Sequence, residues 1–332
     1  MTISPLTLAD RARVMEQYAE IMRDKSYEEL PMGQEVAAYL RIKAKRLSEN
    51  SRLAYESTLD KFARQFGYLE LRDFEPPLGT ERLEEWLGQM WGKKQPATYN
   101  RHLSVLKDFF KHQIIRGKMH ADPTMAIDPA KKRQVYRTVF SPDQARAIIA
   151  SQEELRDRIA LRLLLHYGLR RGSLLAIQFK HLDFNRRRLT IFAKGGKVRE
   201  LPIPQPAFWH DLERHILETQ AEPHHYLMQA RWANRRSQIS KPDRPMSAHA
   251  AHKWWYRCLA QAGIVAEGVT SGERMHKARH SAGQRILDKT GNLKATQEFL
   301  GHASIQTTGD VYSGWADERL ARSIEEALED ED

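Results

Sequence analysis

Arg188-Leu189-Thr190-Ile191-Phe192-Ala193-Lys194-Gly195-Gly196-Lys197-Val198-Arg199-Glu200-Leu201-Pro202-Ile203 is the stretch that decides the fold class. Two β-prone runs flank a pair of glycines. A two-residue hairpin turn needs positive φ at both central positions, which glycine supplies without steric cost. The spacing predicts strands over 188–194 and 197–203 closing on a Gly195-Gly196 turn. It is the clearest β signal in the chain.

Outward from the hairpin the periodicity is helical on both sides. Upstream, Ser141 fits an N-cap with Pro142 at the first helical position, and a strongly apolar helix runs through 159–165 to end at Gly168. Downstream the chain reads as mostly helical, and Leu293, Thr296 and Leu300 line one face before Gly301 ends that helix. The first third is helical too: Leu8, Val14, Tyr18 and Ile21 sit near helical spacing, and further helices are expected over 36–40, 53–59, 81–90 and 98–112. In the last of these Leu103, Leu106 and Phe110 form the apolar stripe. The fold class is therefore mainly α with a small antiparallel β-hairpin.

At 332 residues the chain is long enough for two domains. Prolines and charges at Asp122-Pro123 and Asp128-Pro129-Ala130-Lys131-Lys132-Arg133 mark the boundary. We expect an N-terminal helical arm over 1–32, a helical domain over 33–125, a basic linker over 126–138, and a mixed α+β domain with a C-terminal tail over 139–332. No apolar run approaches a membrane span, and the N-terminus lacks a secretory pattern. A single cysteine, Cys258, excludes an internal disulfide and suits a reducing, cytoplasmic setting. The net charge of +10 favours a polyanionic partner, because basic side chains release counterions condensed on phosphates. Arg101, Lys107 and Lys111 on the 98–112 helix, and Lys131, Lys132 and Arg133 in the linker, are candidate DNA contacts.

Three later stretches concentrate side chains able to do chemistry. They are Gly168-Leu169-Arg170-Arg171-Gly172-Ser173, His276-Lys277-Ala278-Arg279-His280, and Leu300-Gly301-His302 with Tyr312 ten positions on. Each has a plain structural explanation when taken alone. An arginine after a helix caps its carbonyls, and a lone tyrosine is usually a packed amphipathic ring. Histidines at i and i+4 suit zinc, but the protease pattern places a glutamate where Lys277 stands, and a lysine opposes a cation. No metal is therefore assigned. The pairs His224-His225 and His249/His252 have no legible partner pattern and read as surface.

Together and in this order the stretches resemble the three boxes of the tyrosine recombinase (phage integrase) family. Arg170 stands at the first-box arginine, His276-Lys277-Ala278-Arg279-His280 is similar to the His-x-x-Arg-His box, and Leu300-Gly301-His302 opens the final box, with Tyr312 at the nucleophile position. Lys194 matches the lysine that the family carries on a β-hairpin, and 98–110 is similar to the last helix of its core-binding domain. Two departures stand out. Ser173 occupies the place of an acidic residue, and the step from His302 to Tyr312 is one residue longer than the commonest spacing.

The resemblance implies a C-shaped clamp made of a helical, SAM-like core-binding domain and a mixed α+β catalytic domain. It implies cleavage and rejoining of DNA through a 3′-phosphotyrosyl intermediate and a Holliday junction, by four protomers on two sites, without a cofactor. Arg170 and Arg279 would neutralise charge on the phosphate, and His302 would add a donor. His276 would take the Tyr312 proton with His280 and Ser173 in support, and Lys194 would protonate the departing 5′ oxygen. Arg171, Lys197 and Arg199 join the expected DNA contacts. Two rival classes share parts of this pattern: a type IB topoisomerase that relaxes DNA, and a DNA-binding regulator without catalysis.

Overall fold

The computed structural model describes residues 27–131, 138–192, 198–233 and 238–301. The chain divides into two compact units, Met1–Gln134 and Val135–Asp332.

In the first unit helices α1 (Pro31–Ala44), α2 (Glu49–Phe66), α3 (Leu78–Trp91) and α4 (Pro96–Ile115) pack around an aromatic core. Proline opens α1 and α4, where its missing N–H costs nothing. Ser48 caps α2, its Oγ accepting from the Ser51 N–H at 3.4 Å. Phe62 lies at the centre, with ring centroids 5.3 Å from Phe74, 5.7 Å from Trp86 and 5.8 Å from Phe110. Such tilted and edge-on pairs add about 0.5–1.5 kcal/mol each beyond area burial.

Two polar knots tie the same helices. Asp108 on α4 accepts from Tyr39 (2.8 Å), Tyr55 (2.9 Å) and Lys43. Thr58 donates to the Ala54 carbonyl, so its oxygen accepts from His102 Nδ1 at 2.8 Å, and the His102 ring stacks on Trp91 at 3.8 Å. Burial, followed by the charges of Arg101 and Lys61, pushes the His102 pKa down to about 4.

Residues 127–130, which the sequence reading places in the linker, are pinned to this unit. Ile127 is in the core, its carbonyl accepts from Lys107 at 3.2 Å, and Asn100 exchanges two hydrogen bonds with the Ala130 backbone (2.9 and 2.8 Å). Of the expected arm, only its end is described, with Tyr27–Glu29 forming a 3-10 turn.

The second unit opens with α5 (Pro142–Ala150). A reciprocal cap starts it: Ser141 Oγ accepts from the Gln144 N–H at 3.1 Å, and Gln144 Oε1 accepts from the Ser141 N–H at 3.0 Å. The apolar helix α6 (Leu155–Leu165) follows after a break at which Gln152 Nε2 donates to the Ile148 and Cys258 carbonyls (3.1 and 3.3 Å). Ile159, Leu161, Leu163, Leu164 and Leu165 are all fully buried, so α6 forms the axis of the core, while Arg158 and Arg162 on its half-buried side pair with Asp211. A short α7 (Arg171–Leu175) leads into the sheet β1 (Leu182–Asp183), β2 (Arg188–Phe192) and β3 (Val198–Pro202). Then come α8 (Pro206–Thr219), the hairpin β4 (Gln229–Ala233) and β5 (Gln238–Pro245), α9 (Ala248–Gln261), α10 (His276–Thr290) and α11 (Leu293–Leu300). No described helix is long and apolar enough to cross a membrane.

The expected hairpin forms, with a corrected register. Phe192 pairs with Val198 and Leu189 with Leu201, whereas a two-residue Gly195-Gly196 turn would pair Phe192 with Arg199. The cause lies in packing. The observed register sets buried Leu189 opposite buried Leu201, and a one-residue slip would place Pro202 opposite Leu189 instead. It also sets Arg199 across from buried Ile191, on the core side of the sheet. The second hairpin and strand β1 were not expected. β5 carries Pro242 and Pro245, which are tolerated because each strand of a two-stranded ladder has a free edge, and a bulge between Gln229 and Ala230 absorbs the irregularity.

Candidate active site

The site is built where α6, α10 and α11 end or begin. After α6 the chain must turn sharply, and Gly168 does so with φ +63°. Its N–H and that of Leu169 return to the Leu164 and Leu163 carbonyls, both at 3.1 Å. Space demands glycine as well: a Cβ there would lie 2.9 Å from Leu300 Cδ2 and 3.2 Å from Ala282 Cβ. Gly301, at φ +64°, ends α11 in the same way and lies against the Arg199 guanidinium.

Arginines bind these two turns together. Arg279 on α10 is 2% exposed, and its two terminal nitrogens donate to the Gly168 carbonyl (2.5 Å) and the Leu300 carbonyl (2.6 Å). Arg170, exposed at the start of α7, directs both terminal nitrogens to the Gly301 carbonyl at 3.4 Å. Arg199 on β3 donates to the Phe299 and Glu298 carbonyls (2.8 and 3.2 Å). Three guanidinium groups thus surround the end of α11, where unpaired carbonyls carry the negative end of the helix dipole. Burial lowers the Arg199 pKa, with the Arg170 charge second, and burial also lowers that of Arg170. Guanidinium remains charged after such a shift, so the cluster is a concentrated positive site.

The histidines come from the first turns of α10. His276 is exposed, His280 is buried, and their rings meet edge to face with centroids 4.6 Å apart. Lys277 between them points elsewhere, pairing with Glu273 at 2.8 Å and lying 4.4 Å from the centroid of the Phe140 ring. Ser281 holds α10 to the entry of the unit, accepting from the Phe140 N–H at 2.8 Å. Ser173 sits half-buried on α7.

Of the residues singled out from sequence, Arg170, Arg279, His276 and His280 are brought together with Gly168, Leu300 and Gly301. Arg171 is exposed beside them. Lys194, Lys197, His302, Tyr312, Lys132 and Arg133 lie outside the described residues. In the first unit Arg101 and Lys111 are exposed on α4 and Lys131 is exposed after it, while Lys107 is engaged with the Ile127 carbonyl. Arg199, read from sequence as a DNA contact, donates to carbonyls at the end of α11. The register that turns it inward could not be read from the Gly-Gly signal. Arg285, which sequence reasoning missed, donates from α10 to the Leu165 carbonyl at the end of α6.

Among the described residues, Glu222, His224 and His225 form one histidine–carboxylate group, with potential ligand atoms within 4.8 Å of one another. His225 Nδ1 accepts from the Glu222 N–H at 3.0 Å, and His224 Nε2 lies 3.0 Å from Asp243. These contacts account for the group as a hydrogen-bonded turn. In neutral His225 the proton then resides on Nε2, which removes that lone pair from metal binding.

A positive, backbone-anchored cluster beside paired imidazoles has the charge and the donors to hold an anion such as a phosphate. The model of the phage integrase family matches residues 138–319, and the phage integrase N-terminal SAM-like domain matches residues 37–117. The chain belongs to the phage integrase family. It is similar to tyrosine recombinase XerC of Vibrio parahaemolyticus, 25% identical over 295 residues covering 85% of this chain and 88% of that one. It is likewise similar to XerD of Lacticaseibacillus casei, 26% identical over 286 residues covering 82% and 90% of the two chains. Among solved structures, XerH recombinase bound to palindromic difH substrate matches with TM-score 0.66 at 18% identity, covering 97% of this chain and 90% of that one. A lambda integrase (75–356) dimer bound to a COC′ core site matches with TM-score 0.62 at 20% identity, covering 82% and 96%.

Proposed function

We infer that the protein is a site-specific DNA recombinase that breaks and rejoins DNA strands through a covalent link to Tyr312. The observation that carries this reading is the convergence of Arg170 and Arg279 on the two glycine turns, immediately before the sequence position of His302, with His276 on the same helix as Arg279 and sharing a cavity with Leu169. Preorganised donors of this kind are worth a few kcal/mol each when negative charge grows on a phosphate in the transition state.

In the proposed reaction the Tyr312 phenolic oxygen attacks the scissile phosphorus while the P–O5′ bond breaks. The phenolic proton passes to His276, and Lys194 supplies a proton to the departing 5′ oxygen. The 3′-phosphotyrosyl bond retains the energy needed for rejoining, which is the same displacement in reverse by a 5′ hydroxyl. Arg170, Arg279 and His302 face the non-bridging oxygens. No cofactor is required by this chemistry.

The partner is double-stranded DNA, which the charge of +10 favours. The solved relatives named above are recombinases in complex with DNA. On that analogy we extend the reading to a clamp formed by a core-binding domain over 33–125 and a catalytic domain over 139–332, with the arm and linker before each. We extend it also to a tetramer exchanging strands through a Holliday junction on cytoplasmic DNA.

A randomised duplex library carrying a nick that lets the cleaved end escape tests the reading. Wild-type protein is expected to form a covalent adduct with a defined subset of duplexes, and Tyr312→Phe to form none. An adduct that survives Tyr312→Phe overturns the nucleophile. Efficient relaxation of supercoiled plasmid without sequence preference would overturn site-specific recombination.

A further inference from the structure

Beside His276 the catalytic unit contains a cavity of about 440 Å³ that the family chemistry above does not use. Its walls include Leu169 and Arg171 from the first box, His252 and Trp255 from α9, and Arg274 and Met275 just before α10. Arg171 and Arg274 are exposed, and among the described residues neither makes an ion pair. The hydrogen bonds described for Arg170, Arg199 and Arg279 go to carbonyls, so two arginines that line one cavity without a described ion pair call for a different explanation.

The chemistry of the wall selects the ligand. Trp255 is fully buried and its Nε1 donates to the Glu273 carbonyl at 2.7 Å, so the indole offers no face for a base to stack on. His252 is held by the Thr270 carbonyl at 3.0 Å. The polar side chains that line the cavity beside Leu169 and Met275 are therefore cationic or imidazole, and no carboxylate is among them. The volume exceeds that of one phosphate and suits a phosphate with its sugar.

We propose that Arg171 and Arg274 form a second phosphate subsite that grips the DNA phosphate next to the scissile one on the cut strand. The inference rests on the recombinase reading. It adds Arg274 and a defined role for Arg171 to the reaction: both are positioning residues, fixing the strand so that the scissile phosphate meets Arg170 and His276. Guanidinium suits this task because its fork matches phosphate oxygens in two-point contact.

The test uses the duplex that forms the Tyr312 adduct, made with one neutral methylphosphonate linkage at a time along the cut strand. Arg171→Ala and Arg274→Ala are each expected to slow adduct formation about tenfold on native DNA, the size of one charge-assisted hydrogen bond. On the duplex neutralised at the neighbouring phosphate, wild type should slow similarly and the variants should slow no further. Neutralising distant phosphates should multiply with the substitutions. Arg171→Gln and Arg274→Gln repeat the measurement with less change of volume, and thermal unfolding checks that each variant folds. Native rates in all four variants, or losses that multiply at every phosphate, overturn the subsite while leaving the recombinase intact. Absence of an adduct between wild type and any duplex overturns the recombinase reading, and the subsite with it.

Discussion

Replacing Gly168 with alanine isolates the step on which the site is built. Two costs add at this position. A residue with a Cβ held at φ +63° loses about 1–2 kcal/mol relative to glycine. The new methyl would also press on Leu300 Cδ2 at 2.9 Å and Ala282 Cβ at 3.2 Å, an overpacking worth about 1–3 kcal/mol. Gly263 supplies the control within the same unit: its φ is +66°, but a Cβ there meets nothing within 4 Å. Gly263→Ala should therefore cost only the conformational part. In thermal unfolding of the full chain, the second unit's transition should fall on the order of 10 °C for Gly168→Ala and about half that for Gly263→Ala.

Leu300→Ala completes the argument, because it removes the nearer obstruction. In that background Gly168→Ala should cost about 1 kcal/mol less than in wild type, a coupling that a double-mutant cycle reads directly. The same substitution displaces the carbonyl that anchors Arg279, so adduct formation should fall by more than the change in stability explains. Equal losses for Gly168→Ala and Gly263→Ala, or additive losses with Leu300→Ala, would refute the close packing of the two turns.

Three further outcomes follow from the contacts described. Arg279→Lys keeps the charge but cannot bridge the Gly168 and Leu300 carbonyls, so it should lower stability by about 1–3 kcal/mol in urea unfolding and suppress adduct formation at pH 7. Arg199→Ala should reduce adduct formation about tenfold while leaving DNA affinity, measured by titration at fixed salt, within about twofold, because its donors go to α11. His102 has a folded pKa lowered from 6.5 to about 4, so the unfolded chain binds its proton first as pH falls. Its contribution is complete above about pH 6.5 and is lost progressively toward pH 4, by about 2–3 kcal/mol. Urea unfolding of His102→Gln between pH 7 and pH 4.5 should show a flatter decline than wild type.

Local rules made much of this legible. Ser141-Pro142 announced α5, Gly168 and Gly301 announced the ends of α6 and α11, and the apolar run through 159–165 announced a buried axis, because caps, left-handed glycines and periodicity act within a few residues. The hairpin was legible in place but not in register, since register is decided by which side chains the rest of the unit buries. The pairing of Leu189 with Leu201 depends on packing distant in sequence. β4 and β5 gave no alternating pattern because neither face of that ribbon need be wholly apolar, and two prolines in β5 argue against a strand anywhere but at an edge. At the site the charged residues were legible as types and in order, while their partners were not. Nothing in Arg279 or Arg199 alone states that their hydrogen bonds go to main-chain carbonyls.

That choice of partner has a consequence for the site. An arginine held by a carboxylate loses its anchor when one side chain changes or is protonated. Arg170, Arg199 and Arg279 are held by the carbonyls of Gly168, Glu298, Phe299, Leu300 and Gly301, which no substitution removes and no physiological pH titrates. Ser173 at the place of an acidic residue is then intelligible, since the hydrogen bonds described for Arg170, Arg199 and Arg279 go to the backbone. The burden shifts to the path of the main chain, and so to the two glycines. Ser173→Glu should accordingly change adduct formation by less than about threefold, well short of a full charge-assisted contact. An increase of tenfold or more would mean that backbone anchoring alone leaves the arginines poorly placed.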